Sequence, residues 1–161
     1  MKRYTRSLHL ILLVLALVLA LPAAARAASS DDGGSYGAPV DPDLDSAKKA
    51  IKEKNWDKAF ELLKKALERD NGNAEIHNLL GYAERNRGKL DSAFKHYERA
   101  LALDPKHRGA HEYIGEAYLM ANNLARAEEH LAKLDKLCFL PCEEYNDLKA
   151  AIAMYKKQHP K

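Results

Sequence analysis

Cys138 and Cys142, separated by Phe139, Leu140 and Pro141, are the residues whose spacing most directly suggests chemistry. Two thiols this close can form a disulfide, cycle as a reactive dithiol or share a soft metal. The gap lacks the two-residue spacing of thioredoxin-like motifs, and no cluster of acidic residues and histidines surrounds it. In an exported chain a disulfide is therefore the expected state. Pro141 is expected to interrupt the helix between the sulfurs, so that a turn brings the Cα atoms into bonding range. A loop so short adds only about 2 kcal/mol of chain-entropy stabilisation, which makes fixing an angle its expected use.

Seven histidines raise the question of metal. His107 and His111 are four apart, but Pro105 and Gly109 put His107 at or before a helix start, and no metal site is expected. His77 and His111 lie 34 residues apart, as do His96 and His130, which marks repeated positions and not one converging site. The sequence has no Gly-rich phosphate loop, nucleophile elbow or His-Glu-x-x-His motif. Adjacent carboxylates such as Glu128-Glu129 and Glu143-Glu144 stand about 100° apart on a helix and read as solvated faces. A non-enzymatic protein without a cofactor is expected.

The elements that position these residues begin after an N-terminal leader. Lys2, Arg3 and Arg6 precede an apolar run from Leu10 to Leu21, and Ala23 to Ala27 supplies small residues for signal-peptidase cleavage near Ala25–Ala27. Twelve apolar residues fall short of the roughly 20 of a membrane-spanning helix, so no span is expected after cleavage. Four of the 26 basic residues lie in residues 1–27, leaving 22 against 23 acidic ones, and the near-neutral remainder argues against a nucleic-acid partner. Residues 28–42, rich in Ser, Asp and Gly, have too little apolar content to order and read as a linker. A periplasmic or secreted location follows as an expectation.

Beyond the linker the sequence repeats. Asp57-Lys58-Ala59-Phe60, Asp91-Ser92-Ala93-Phe94 and Ala125-Arg126-Ala127 align so that Ala59, Ala93 and Ala127 are each 34 residues apart. Leu80-Gly81 and Ile114-Gly115 keep the same spacing. Each unit reads as two short antiparallel helices, with turns at Asn55, Gly88-Lys89 and Asn122-Asn123 within units and at Asp70-Asn71-Gly72 and Asp104-Pro105 between them. Gly inside a helix costs roughly 1 kcal/mol relative to Ala, so Gly81 and Gly115 are expected where neighbouring helix backbones approach closely. A further helix over 142–157 carries Tyr145, Leu148, Ile152 and Tyr155 on one face.

The second unit, His77-x-x-Leu80-Gly81, Ala93-x-x-x-Tyr97, Ala100 and Asp104-Pro105, resembles the tetratricopeptide repeat pattern. The resemblance implies an all-α fold. Three helix-turn-helix repeats, over about 43–73, 74–107 and 108–141, would form a right-handed superhelix closed by a C-terminal capping helix. Asp43 and Ser46 replace the usual large residues, making the first helix an atypical N-terminal end. The resemblance also places His77 and His111 at the family's Trp position, as helix-packing residues.

In that family the first helix of each unit lines a concave groove. The matching positions are Leu44, Lys48, Ile51 and Lys52; Asn78, Tyr82, Arg85 and Asn86; and Glu112, Glu116, Leu119 and Met120. They imply a groove that is basic at one end and acidic at the other, and a protein or peptide partner. The family's carboxylate clamp is not reproduced, since Leu44 stands where a Lys would be expected. Two other readings stay open: an assembly subunit held at the membrane by an uncleaved leader, and a thiol-redox or metal-handling protein using Cys138 and Cys142. A homo-oligomer extending the superhelix is compatible with only three repeats.

Overall fold

The computed structural model describes residues 41–140 and 142–160. The leader, nearly all of the linker and Pro141 lie outside the described residues. Within them the chain forms seven helices: α1 (Pro42–Lys52), α2 (Trp56–Arg69), α3 (Ala74–Asn86), α4 (Leu90–Leu103), α5 (Arg108–Met120), α6 (Leu124–Leu137) and α7 (Glu143–Gln158). They pack as antiparallel hairpins α1–α2, α3–α4 and α5–α6, each hairpin against the next, with α7 lying on α5 and α6. No helix of the described residues is long and apolar enough to cross a membrane.

Polar side chains satisfy the free N–H groups at most helix starts. Asn55, Asn73 and Asn123 accept from the first turns of α2, α3 and α6, and His107 Nδ1 accepts from Ala110 N at the start of α5. Helix α1 begins at Pro42, inside the stretch expected as linker. Asp41 caps it, accepting from Asp43 N at 2.9 Å and Leu44 N at 3.1 Å. The cap is itself held from a distance, because Arg69 at the end of α2 grips Asp41 at 2.7 Å and Asp43 at 2.6 Å. That guanidinium holds the Asp41 carboxyl down at about 2. Lys54, Gly88 and Asn122, again 34 residues apart, carry φ of 55°, 77° and 56° in the three hairpin turns.

The core is one seam divided among the hairpins. Ala59, Ala93 and Ala127 are wholly buried, and their small side chains let the two helices of each hairpin cross closely. Leu63, Ile76 and Leu80 fill the first interface, Tyr97 and Ile114 the second, and Leu134, Leu148 and Ile152 the third. The two glycines make room for side chains and not for the backbones expected from sequence. A Cβ on Gly81 would lie 2.5 Å from the Tyr97 ring, and one on Gly115 would lie 2.6 Å from Leu148 of α7.

Four histidines pair within hairpins. His77 Nδ1 meets His96 Nδ1 at 3.2 Å, and His111 Nδ1 meets His130 Nδ1 at 2.9 Å. The other ring nitrogens of His77 and His111 meet the Asn71 and Pro105 carbonyls, as donors. Burial, then the neighbouring His111, pushes His130 down to about 3, so this pair is neutral near pH 7.

Candidate functional site

Three helices from different units, α3, α5 and α7, bound an open groove with two chemically distinct ends. The N-terminal halves carry carboxylates. A cavity of about 340 Å3 there is lined by Glu75 and Asn78 of α3, Glu112 of α5, and Glu143, Glu144 and Asp147 of α7. The other end is more apolar and lies between α5 and α7, with Leu119 and Met120 of α5 facing Ala151 and Met154 of α7 around about 350 Å3. Between them, Arg85, Asn86, Glu116 and Leu119 border a third hollow of about 330 Å3.

The sequence-expected contact residues divide into three sets. Leu44 and Ile51 pack against the first core cluster. Lys48 pairs with Glu75 at 3.4 Å, while Lys52 is exposed. Arg85 is ion-paired to Glu116, and its guanidinium lies 5.1 Å from the Tyr82 ring centre and 5.6 Å from that of Tyr113. Arg85 and Tyr82 thus tie α3 to α5. Asn86, exposed, donates to Tyr82 O at 2.8 Å. Asn78, Glu112, Leu119 and Met120 line the open spaces.

The expected gradient from basic to acidic along the repeats is altered by this pairing. Lys48 and Arg85 are each matched by a carboxylate, and the polarity runs along the helices, acidic to apolar. Burial first, then the charges of Glu116, Asp147 and Glu144, pushes the Glu112 carboxyl up to about 8. Glu75, Tyr113 and Asp147 were not singled out in the sequence, and Glu143-Glu144, read there as a solvated face, border the cavity with Glu144 partly buried. Glu75 could have been found one helical turn before Asn78, but the α7 residues depend on how that helix docks.

A larger hollow of about 680 Å3 lies at the turns of the first two hairpins, where Arg87 is already paired with Asp57 and Glu84. At the α6–α7 junction the Cys138 and Cys142 sulfurs are bonded, with Cα atoms 5.8 Å apart. Among the described residues no three His, Cys, Asp or Glu side chains converge to hold a metal ion.

Comparison with known proteins places this geometry in a family. The antiviral innate immune response effector IFIT1 of Homo sapiens is 34% identical over 109 residues, 55% of this chain and 22% of that protein. The type III secretion translocator chaperone SycD of Yersinia enterocolitica superposes with a TM-score of 0.65 at 18% identity, over 74% of this chain and 84% of that one. The first such repeat domain of Spaghetti (RPAP3), solved bound to the HSP90 peptide SRMEEVD, gives 0.62 at 20% identity, over 70% and 91%. Two family models described as tetratricopeptide repeat match residues 44–106 and 84–152, and together they span all seven helices at least in part. The chain belongs to the tetratricopeptide repeat family.

Proposed function

We propose that this protein is an exported, non-enzymatic adaptor that holds a segment of a partner polypeptide in the groove formed by α3, α5 and α7. The observation that carries the reading is the open groove itself, whose apolar end leaves Met120 57% and Met154 62% exposed with no side chain of the described residues covering them. Structural neighbours solved with bound peptides support a polypeptide ligand. The leader read from residues 1–27 supports export to the periplasm or beyond, and a bonded Cys138–Cys142 pair suits an oxidising compartment. In that setting the pair acts as a structural staple at the foot of α7.

Site-specific cross-linking tests the reading. A photo-reactive residue at Met120 or Met154 is expected to capture a partner in the native compartment, whereas one at Lys65 or Lys95 on the outer helices is not. Capture that is equal from both faces would move the contact surface elsewhere. Tyr82 and Arg85 are unsuited to this test because they join α3 to α5. N-terminal sequencing of the exported protein should find a start after Ala25 or Ala27, and retention of Met1 would favour a tethered subunit instead.

A further inference from the structure

The acidic end of the groove holds carboxyl groups that the chain does not pair. Glu75 is matched by Lys48 and by His107 Nε2 at 3.3 Å, and Glu144 by Arg108 at 3.4 Å. Glu112 and Asp147 have no cationic side chain within ion-pair distance among the described residues. Glu112 is only 8% exposed, so this unpaired carboxyl is largely removed from water.

A buried amide in the wall of the same cavity holds one of these carboxylates. Asn78 is 3% exposed, and although its Nδ2 donates to Glu75 Oε2 at 3.2 Å, its Oδ1 is buried without any hydrogen-bond partner. Glu75 on α3, Glu112 on α5 and Asp147 on α7 bring carboxyl groups to the wall of one space. Ionised, each is an acceptor. A group rich in N–H donors and positively charged meets all three, and guanidinium or ammonium is that group. The carboxylates do not converge on one point as metal ligands must, which suits the head of a long side chain.

We propose that the cavity between α3, α5 and α7 receives an arginine or lysine side chain of the partner polypeptide, whose adjoining apolar residues lie along Met120 and Met154. This rests on the groove being the binding face. In the empty groove Glu112 is held largely protonated near neutral pH by burial and by Glu116, Asp147 and Glu144, with Glu75 and His107 also at the rim. Arg85 opposes this shift but is engaged by Glu116. An arriving cation favours the ionised carboxylate, so binding releases a proton.

The test uses three fluorescein-labelled ten-residue peptides, alike in two leucines and differing in one central arginine, lysine or citrulline. Titration into the full exported protein, followed by anisotropy, should show the arginine and lysine peptides binding at least tenfold tighter than the citrulline one. Glu112→Gln with Asp147→Asn should abolish this preference, and Glu61→Gln with Glu98→Gln, an equal change in net charge on exposed outer positions, should leave it intact. Should the double variant fold poorly, Asp147→Asn alone, at an exposed position, should still weaken the cationic peptides about threefold. Equal binding of all three peptides, or equal losses in the outer-face control, overturns the assignment. If cross-linking from Met120 persists while the cationic preference is missing, the cationic pocket falls and the groove stands. If both are missing, both readings fall.

Discussion

The second and third hairpins share a skeleton and differ on the face they turn to the groove. His77 and His111, His96 and His130, Gly81 and Gly115, and Ala93 and Ala127 are identical pairs at the 34-residue spacing, and the histidines make the same contacts in both. On the groove side, Asn78, Tyr82, Arg85 and Asn86 become Glu112, Glu116, Leu119 and Met120. Tyr82 and Arg85 of the first set join neighbouring hairpins, while in the second Glu116 receives Arg85, Glu112 has no ion-pair partner among the described residues and Met120 presents apolar surface. The shared positions build the seam, and in the proposed function the divergent ones would choose the ligand.

The paired glycines offer the strongest way to break this equivalence. Gly81→Ala would drive a methyl into the flat Tyr97 ring and should cost about 3 kcal/mol, whereas Gly115→Ala meets the terminal methyls of a flexible leucine and should cost about 1. Urea unfolding of the two variants measures both. Equal losses would mean that the two slots are mechanically alike despite their different plugs.

The titratable groups sharpen the contrast with opposite signs. Glu112, raised in the fold from an ordinary 4.5 to about 8, contributes stability at low pH that is lost as pH rises through that window. Glu112→Gln should therefore leave stability unchanged near pH 4 and raise it by about 2 kcal/mol at pH 8. Asn78, at the equivalent place in the second hairpin, carries no such titration. His130, lowered from 6.5 to about 3, does the reverse: the unfolded chain takes up a proton first, and stability falls as pH drops below about 6.5. His130→Asn should remove about 1–2 kcal/mol of the destabilisation seen between pH 7 and pH 5. Thermal melts across pH 4–8 check both limbs.

The smallest expected effect concerns the hairpin turns. Lys54 holds the left-handed conformation that Gly88 holds without strain in the next unit, at φ 55° and 77°. Lys54→Gly should stabilise the first hairpin by about 0.5–1 kcal/mol, measurable as a rise in the urea midpoint.

What could be read from the sequence was whatever a fixed spacing encodes. Ala59, Ala93 and Ala127 announced the hairpins, and the Asn caps and turns fell where local chemistry put them. The start of α1 was hidden because Arg69, 28 residues downstream, secures the Asp41 cap. The histidines were legible as repeats but not as pairs, since their contacts join residues 19 apart on opposing helices. Glu112 was visible as a groove position. Its isolation was not, because that depends on the angle at which α7 brings Asp147 and Glu144 alongside.

Leu148 seated over Gly115 has a consequence for growth of the array. An extendable stack of hairpins ends wherever its last slot is occupied by something that offers no slot of its own, and α7, with exposed Asn146, Lys149, Ala150 and Ala153 around its buried Leu148 and Ile152, is such a terminator. A chain cut before Cys138 would keep an unplugged end, ready to nucleate head-to-tail polymers of the kind open heterologous contacts produce.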